Sequence, residues 1–206
     1  MSQQHYFSPA PAAPHRPGTV RVVLEGIYLE LATDSGVFSP GRLDPGTRLL
    51  LDQAPPPAPG GDLLDLGCGY GPIACVMALR SPAATVWGLD VNERALALTA
   101  VNAQRAGLAN LRTATPADPA VPVAFATIWS NPPIRIGKQA LHELLRTWLP
   151  RLEPGGQACL VVSRNLGADS LHRWLEGEGW QVTRRAARSG YRLLVVNETE
   201  RPGAGA

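Results

Sequence analysis

Hydrophobic and polar residues occur along this chain in short blocks of two kinds. From Asp62 onward, apolar runs of strand length alternate with stretches of helical spacing or with loops. Such runs are typical of parallel strands that are buried on both faces, and their alternation with helices predicts a sheet covered by helices. The runs are DLLDLG, TVWGLD, AFATIWS and QACLVVS. The pattern therefore predicts an α/β fold.

The clearest helical pattern follows the run AFATIWS. Its apolar face is formed by Leu141, Leu144, Leu145, Trp148, Leu149 and Leu152. Residues at this spacing lie on one side of an α-helix, so the face should pack against the sheet. A core position explains Trp148 without a functional role.

The residues before Asp62 predict a small N-terminal extension. Residues 1–18 are rich in proline and poor in large apolar side chains, which predicts a flexible tail. Two β-rich runs flank Glu25-Gly26 and predict a hairpin. Asp44 suits the N-cap of a short helix, because Pro45 follows it at the first helical position.

The C-terminal part of the chain predicts a second hairpin. The sequence WQVTRRAARSGYRLLVVNE contains two strand-like runs that are joined through Ser189-Gly190.

Composition narrows the class of protein. The chain has 206 residues, of which 45% are hydrophobic and 17% charged, as expected for one globular domain with a full core. A net charge of +2 does not by itself indicate a polyanion partner. The three cysteines form no CxxC pair, and no apolar run is long enough for a membrane span. We therefore predict a cytoplasmic protein with no metal site and no membrane association.

A glycine-rich turn follows the first core strand. In LLDLGCGYGP, Gly67, Gly69 and Gly71 stand between the strand and a helical stretch, where glycines let a ligand approach the backbone closely. Asp90 ends the next strand, at a position where a carboxylate can accept both ribose hydroxyl protons. These residues predict a nucleotide-type cofactor site. The alternative is structural: the glycines only permit a tight turn, and Asp90 caps the helix that begins near Asn92.

Asp65 distinguishes this turn from a dinucleotide-binding turn. Its carboxylate enters the turn from the strand, where it would repel a pyrophosphate and suit an ammonium group. At these residues the chain resembles the class I S-adenosylmethionine-dependent methyltransferases. The resemblance implies S-adenosyl-L-methionine as the cofactor, with Asp65 near its methionine end, the glycines beneath it and Asp90 on its ribose. Asn92 and Asn131 are further candidates for cofactor binding.

The run AFATIWS ends on Asn131-Pro132-Pro133, at the predicted carboxyl edge of the sheet. The prolines restrict the chain and remove two backbone donors, which leaves the carbonyls of Asn131 and Pro132 as acceptors. Accepting hydrogen bonds from both N–H groups of a conjugated amine favours a pyramidal nitrogen whose lone pair points at an electrophilic methyl group. We therefore assign these three residues as the catalytic candidates. For an isolated turn of this kind, the alternative is a rigid loop that ends a strand.

Together with the glycine turn, this motif resembles that of the amino methyltransferases, which act on exocyclic or amide nitrogens through an Asn/Asp-Pro-Pro-aromatic turn. The fourth position here is Ile134, so a target base would stack elsewhere, for example on Phe38. The segments GVFSPGRLDPGTRLLLD, NPPIRIGK and SGYRLLVV resemble the small-domain methyltransferase family, which includes the bacterial ribosomal RNA guanine-N2 methyltransferases.

This resemblance covers Val20 to about Val196 and implies a fold and a substrate. The expected fold is a Rossmann-like, mostly parallel seven-stranded sheet with helices on both faces, an antiparallel last strand and an N-terminal β-hairpin. We expect one methyltransferase domain over residues 19–200, with residues 19–60 as an extension and residues 61–200 as the core. The implied partner is ribosomal RNA or the small ribosomal subunit, methylated on the N2 amine of a guanine.

Two features depart from the family pattern. Relatives usually place an acid after the phenylalanine of the strand that ends on the Asn-Pro-Pro motif, where this chain has Ala126. The loop TATPADPA leaves Asp118 or backbone groups as candidates for contact with the adenine amine. A further departure concerns the number of domains: the ribosomal RNA enzymes often carry a second, degenerate copy of the domain, whereas we expect a single domain here.

The remaining substrate-binding candidates lie around the Asn-Pro-Pro motif. They are Phe38, Ile134, Arg135, Lys138 and Arg164, of which the basic residues could contact phosphates and position RNA. Arg42 and Arg48 are placed at the same edge by this interpretation. The alternative is that these cations are ordinary solvated side chains.

Two other functions stay open. The same chemistry could act on a protein glutamine or on a small-molecule amine. A non-catalytic module could also keep this fold and bind RNA or an assembling ribosome without transferring methyl groups.

Overall fold

The computed structural model describes residues 14–133 and 136–198, with the exception of the side chain of Leu166. Ile134 and Arg135, two of the predicted substrate-binding residues, lie outside the described residues. So does most of the predicted tail at residues 1–18; in its described part, His15 and Arg16 contact the carboxylate of Asp34.

The described part of the chain forms strands and α-helices, most of which alternate. In order they are β1 (Gly18–Leu24), β2 (Ile27–Thr33), α1 (Pro45–Gln53), β3 (Asp62–Leu66), α2 (Pro72–Arg80), β4 (Thr85–Leu89), α3 (Glu93–Arg105), β5 (Leu111–Ala114), β6 (Phe125–Ser130), α4 (Lys138–Trp148), β7 (Leu152–Ser163), α5 (Ala168–Gly177), β8 (Trp180–Arg188) and β9 (Tyr191–Glu198). Across residues 14–133 and 136–198, none of the helices has the length and apolar character needed to cross a membrane.

The strands form two sheets. β1 and β2 pair as an antiparallel hairpin, and the other strands form a seven-stranded sheet in the order β5-β4-β3-β6-β7-β9-β8. β5, β4, β3, β6 and β7 run parallel to one another, whereas β9 is antiparallel to both β7 and β8. The predicted α/β class, the seven-stranded sheet with an antiparallel last strand and the N-terminal hairpin are confirmed. The strand order reverses between β3 and β6, which places the usual ligand crevice of an open α/β sheet at their carboxyl ends.

The central parallel strands β3, β4 and β6 are buried on both faces, as their continuous apolar runs predict. Successive side chains of a strand point to opposite faces, so Leu63 of β3 packs in one hydrophobic cluster and Leu64 in the other. The hairpin, α1, α2 and α3 cover the first face. Helices α4 and α5 cover the second face.

The helix that follows the Asn-Pro-Pro motif is shorter than predicted. It ends at Trp148, Leu149 lies in a 3-10 turn, and Leu152 is already the first residue of β7. Pro150 has no backbone N–H with which to continue the helical hydrogen bonds, so the helix stops before it. The assignment of Leu149 and Leu152 to the helix was therefore wrong. Trp148 is buried in the second cluster, which confirms it as a core residue.

Asn102 of α3 anchors the N-terminal hairpin to the core. Its Oδ1 accepts a hydrogen bond from the backbone N–H of Ala32 at 2.7 Å. Its Nδ2 donates to the carbonyl oxygens of Ala32 and Tyr70, both at 2.8 Å. One buried amide thus binds the end of β2 and, at the same time, the glycine-rich turn after β3.

Replacing Asn102 by alanine should destabilise the protein by about 3 kcal/mol, because three backbone groups would lose their partner in a buried setting. The free energy of unfolding measured in urea tests this expectation. Gln104→Ala, an exposed change on the same helix, is the matched control and should change stability by less than about 0.5 kcal/mol. Equal stability of the two variants would contradict the anchoring role.

Candidate active site

The glycine-rich turn joins β3 to α2 in a conformation that favours glycine. The φ angles of Gly67, Gly69 and Gly71 are +80°, +58° and +89°. The backbone N–H groups of Gly67 and Cys68 both donate to the carbonyl oxygen of Leu89, at 2.8 and 2.9 Å. These bonds hold the turn against the end of β4.

The three glycines differ in what surrounds them. A Cβ on Gly71 would lie 2.8 Å from Cγ2 of Thr99, so this glycine is required for close packing against α3. A Cβ on Gly67 or Gly69 would meet no atom of the described residues within 4 Å, apart from those of its two chain neighbours. A tight turn explains the positive φ angles, and the open space beside Gly67 and Gly69 is what a ligand lying against the backbone needs.

This open space belongs to a cavity of about 260 Å³ at the carboxyl edge of the sheet, near the lower end of the usual range for small-molecule sites. The cavity brings together the N-terminal extension, the glycine-rich turn, the end of β4 and the Asn-Pro-Pro motif. Its lining includes Val37, Phe38, Asp44, Thr47, Gly67, Gly69, Asp90, Asn92, Pro116, Asn131, Pro132, Pro133, Ser163 and Tyr191.

Asp90 stands at the end of β4 with both carboxylate oxygens engaged by the backbone. Oδ2 accepts from the N–H of Gly69 and Oδ1 from the N–H of Asn92, each at 2.9 Å. Burial raises the pKa of Asp90, and these backbone hydrogen bonds oppose the rise. A carboxylate has about four acceptor sites, so Asp90 can still accept hydrogen bonds from ligand hydroxyls.

Asn92, and not Asp90, caps α3. Its Oδ1 accepts from the N–H groups of Arg94 and Ala95 at 3.0 and 3.3 Å, and its Nδ2 donates to the carbonyl oxygen of Gly36 at 2.9 Å. Asn92 therefore has the capping role that the structural alternative gave to Asp90. Asn92 lines the cavity, but both ends of its side-chain amide are occupied.

Asp65 lies fully buried beneath the turn. Its Oδ2 accepts from the N–H of Ala74 at 2.9 Å, whereas Oδ1 has no hydrogen-bond partner among the described residues. Burial raises the pKa of Asp65 to about 8; the Ala74 hydrogen bond opposes this rise and the nearby charge of Asp90 adds to it. A buried carboxyl oxygen without a partner is costly, and a cationic donor at this place would relieve the cost.

The Asn-Pro-Pro motif begins where β6 ends, beside the glycine-rich turn. The hydroxyl of Ser130 donates to the carbonyl oxygen of Leu66 at 2.6 Å and so joins the ends of β6 and β3. Nδ2 of Asn131 donates to Oδ2 of Asp44 at 2.9 Å and to Oγ1 of Thr47 at 3.0 Å. No donor within residues 14–133 and 136–198 is bonded to Oδ1 of Asn131, which stays available as an acceptor.

The predicted substrate-binding residues are only partly brought together. Phe38 lies on the cavity lining and is 37% exposed. Lys138 begins α4 and Arg164 follows β7, both exposed and outside the lining. Arg48 pairs with Asp52 at 2.8 Å and donates to a hairpin carbonyl, so it is committed to the N-terminal extension.

Asp118, the acidic residue predicted as a candidate for contact with the adenine amine, lies outside the described cavity lining. Asp118 accepts from the N–H of Ala120 at 2.8 Å within an exposed turn and does not line the cavity. Pro116 of the same loop does line it. Of the two predicted candidates for contact with the adenine amine, Asp118 and the backbone groups of this loop, the backbone groups remain.

Sequence reasoning missed three residues of the site. Asp44 was predicted only as a helix cap, and Thr47 and Tyr191 were assigned no role. The hydroxyl of Tyr191 donates to Oδ1 of Asp44 at 3.2 Å. The Asp-Pro-Gly-Thr sequence signals the start of α1, but it does not show that this helix begins beside Asn131.

Comparison with known proteins identifies the family. The family model described as "Methyltransferase small domain" matches residues 28–195, and the chain belongs to this family. YbxB of Bacillus subtilis (strain 168), described as an uncharacterized protein, is 34% identical over 200 residues, which are 95% of this chain and 98% of that protein. The predicted resemblance to the small-domain methyltransferases is confirmed.

Ribosomal RNA methyltransferases are also among the relatives. Ribosomal RNA small subunit methyltransferase C of Pseudomonas aeruginosa (strain UCBPP-PA14) is 35% identical over 168 residues, which cover 75% of this chain and 50% of that protein. The T. thermophilus 16S rRNA N2 G1207 methyltransferase (RsmC), solved in complex with AdoMet and guanosine, superimposes with a TM-score of 0.73 at 23% identity, covering 92% of this chain and 52% of that chain. The structural likeness shows a shared Rossmann-like methyltransferase fold. The chain spans about half the length of these ribosomal RNA enzymes.

The buried carboxyl of Asp65 should make stability depend on pH. Because its pKa is raised to about 8, the folded state keeps a proton that the unfolded chain loses near pH 4. Stability should therefore fall as pH rises from about 4 to about 8, by at most about 1.4 kcal/mol per pH unit from this group. Asp65→Asn should remove this contribution, so its stability relative to the wild type should increase from pH 5 to pH 8.

Urea unfolding of both proteins at three pH values in this range measures the difference. Asp118→Asn, at an exposed turn, is the matched control and should follow the wild-type profile. Parallel profiles for Asp65→Asn and the wild type would show that Asp65 does not carry the effect.

Proposed function

We propose that this protein is an S-adenosylmethionine-dependent N-methyltransferase, and that its acceptor is the N2 amine of a guanine in small-subunit ribosomal RNA. The orientation of the Asn131 side chain carries the proposal. Its NH2 group donates one hydrogen bond to Asp44 and one to Thr47, so the amide offers the substrate only its Oδ1. The substrate must then supply the hydrogen atoms, as an amine does.

The residues around the cavity fit the cofactor. Oδ1 of Asp65 has no partner in the described part of the chain and suits the methionine ammonium, and the open space beside Gly67 and Gly69 permits close approach to the backbone. Asp90 would hold the ribose hydroxyls with its spare acceptor sites. When bound, S-adenosylmethionine supplies an electrophilic methyl group.

Asn131 and Pro132 would prepare the acceptor amine for attack. The lone pair of an exocyclic amine is delocalised into the ring, and it becomes available when the nitrogen is made pyramidal. Two acceptors, Oδ1 of Asn131 and the carbonyl oxygen of Pro132, can hold the two N–H groups in that geometry. Pro133 adds stiffness, because neither proline can rotate about φ. The site therefore works by positioning and needs no strong base.

Two observations support RNA as the substrate. The relatives named ribosomal RNA small subunit methyltransferase C share about a third of their aligned residues with this chain. Lys138 and Arg164 are exposed within a few residues of the cavity-lining Pro133 and Ser163, where they could contact phosphates. The guanine-N2 specificity is our proposal.

Methyl transfer to purified unmethylated 30S subunits, naked 16S RNA and a release factor, assayed in parallel with labelled S-adenosylmethionine, tests the proposal. We expect label in the RNA, recovered as N2-methylguanosine. Asn131→Ala should lower kcat by about 10²-fold, because an interaction made mainly in the transition state is lost. Cofactor affinity, measured by calorimetry, should stay within about threefold of the wild type.

The matched control is Gln139→Ala, an exposed change at the start of α4, which should leave turnover unchanged. Label on a glutamine of the release factor would replace the RNA substrate with a protein. Wild-type turnover of Asn131→Ala would remove Asn131 from the mechanism. Failure of the wild type to bind the cofactor would favour a non-catalytic module.

A further inference from the structure

The N-terminal extension and the catalytic candidate Asn131 meet at one buried carboxylate, Asp44, although the two residues are 87 positions apart. Asp44 is 7% exposed and is the N-cap of α1, where its Oδ2 accepts from the N–H of Thr47 at 2.9 Å. The same oxygen accepts from Nδ2 of Asn131 at 2.9 Å. Its other oxygen accepts from the hydroxyl of Tyr191 at 3.2 Å. The hydrogen bonds of Asp44 with Asn131 and Tyr191 are not needed to cap the helix.

These contacts select one orientation of the Asn131 amide. The two N–H groups lie against two acceptors, Oδ2 of Asp44 and Oγ1 of Thr47. In the flipped orientation, Oδ1 would stand against the carboxylate, and two oxygens without a hydrogen between them repel each other. The acceptor oxygen of Asp44 therefore turns Oδ1 of Asn131, and not its NH2, toward the cavity.

The first turn of α1 is shaped around this arrangement. A Cβ on Gly46 would lie 2.6 Å from two ring carbons of Tyr191 and 2.9 Å from Oδ2 of Asp44. Only glycine at this position lets the tyrosine ring and the carboxylate occupy their places together. The hydroxyl of Tyr191 engages Oδ1, which leaves Oδ2 for Asn131 and the helix cap.

We propose that Asp44, together with Thr47, is a positioning residue of the methyl-transfer reaction. It fixes the Asn131 side chain so that Oδ1, and not the amide NH2, meets the acceptor amine. If the Asn131 amide could rotate, its NH2 would for part of the time face the N–H groups of the acceptor amine, and no hydrogen bond could form. Misplacement of a reacting group by about 1 Å can reduce turnover about 10²-fold. This inference rests on the function proposed for Asn131.

Two substitutions at position 44 separate positioning from helix capping. Asp44→Ser keeps a good N-cap, but the shorter side chain cannot reach Asn131. Asp44→Asn also caps helices and can place its oxygen at the position of Oδ2, with its NH2 against the hydroxyl oxygen of Tyr191, which can accept. The serine variant should therefore lose the positioning and the asparagine variant should rescue it.

Kinetics with the accepted substrate give the first readout. We expect Asp44→Ser to lower kcat about 10- to 100-fold, with the KM for S-adenosylmethionine within about threefold of the wild type. Asp44→Asn should keep at least about a third of wild-type kcat. Thr47→Val, which removes only the second acceptor and keeps the backbone N–H for the cap, should lower kcat by about 3- to 10-fold.

The second readout needs no substrate. The side-chain NH2 resonances of Asn131 in a ¹⁵N NMR spectrum, assigned by their absence in Asn131→Ala, report its two hydrogen bonds directly. In the wild type and in Asp44→Asn, both protons should exchange slowly with water. In Asp44→Ser they should move toward the positions and the fast exchange of a solvated asparagine.

The two readouts distinguish the failures. If the wild type methylates no acceptor, the proposed function fails, and the resonances still decide whether Asp44 orients the amide. Wild-type kcat in Asp44→Ser, or unchanged Asn131 resonances in that variant, overturns the positioning role. If Asp44→Ser does not fold, Thr47→Val decides: wild-type resonances and kcat in that variant overturn the role as well.

Discussion

The site depends on one strand pairing, that of β3 with β6. These strands run parallel in the register Leu63↔Thr127, Leu64↔Ile128 and Asp65↔Trp129, and the hydroxyl of Ser130 bonds the carbonyl of Leu66 beyond the last pair. The glycine-rich turn and the Asn-Pro-Pro motif, more than 60 positions apart in the chain, meet because both follow these strand ends. A slip by one residue would displace the two motifs by about 3.3 Å and turn every side chain of the strand to the other face. The register of β3 and β6 therefore sets the distance between the two motifs and, with it, the geometry of the site.

Asp65 interrupts the buried apolar residues of β3. A fully buried carboxyl with one oxygen that has no partner in residues 14–133 and 136–198, close to a second partly desolvated carboxyl at Asp90, is an unfavourable arrangement for the protein alone. Such local conflicts between sequence and fold are expected where a ligand resolves them. A cationic ligand at this place would be attracted by both carboxyls, which is consistent with the cofactor that we propose.

Local features of the chain were predictable, and features that depend on packing were not. The hairpin, the cap of α1, the buried strands and the glycine-rich turn follow from neighbouring residues alone. The end of α4 did not, because Leu149 and Leu152 continue the apolar pattern into a turn and a strand that pack in the same cluster. Tyr191 was missed for a related reason: its contact with Asp44 depends on how α1 lies across β9, and no pattern in one sequence reports that angle.

The N-terminal extension is part of the site, and its role there follows from two of its attachments to the core. Near the end of β4, Nδ2 of Asn92 bonds the carbonyl of Gly36; near the end of β6, Asn131 bonds the carboxylate of Asp44. The segment between them passes along the cavity and contributes Val37 and Phe38 to its lining. A domain boundary at residue 60 would keep the glycine-rich turn. It would remove Val37 and Phe38 from the cavity lining, and it would remove the two side chains that orient Asn131. The extension therefore couples the shape of the cavity to the direction of the one amide on which the proposed chemistry depends.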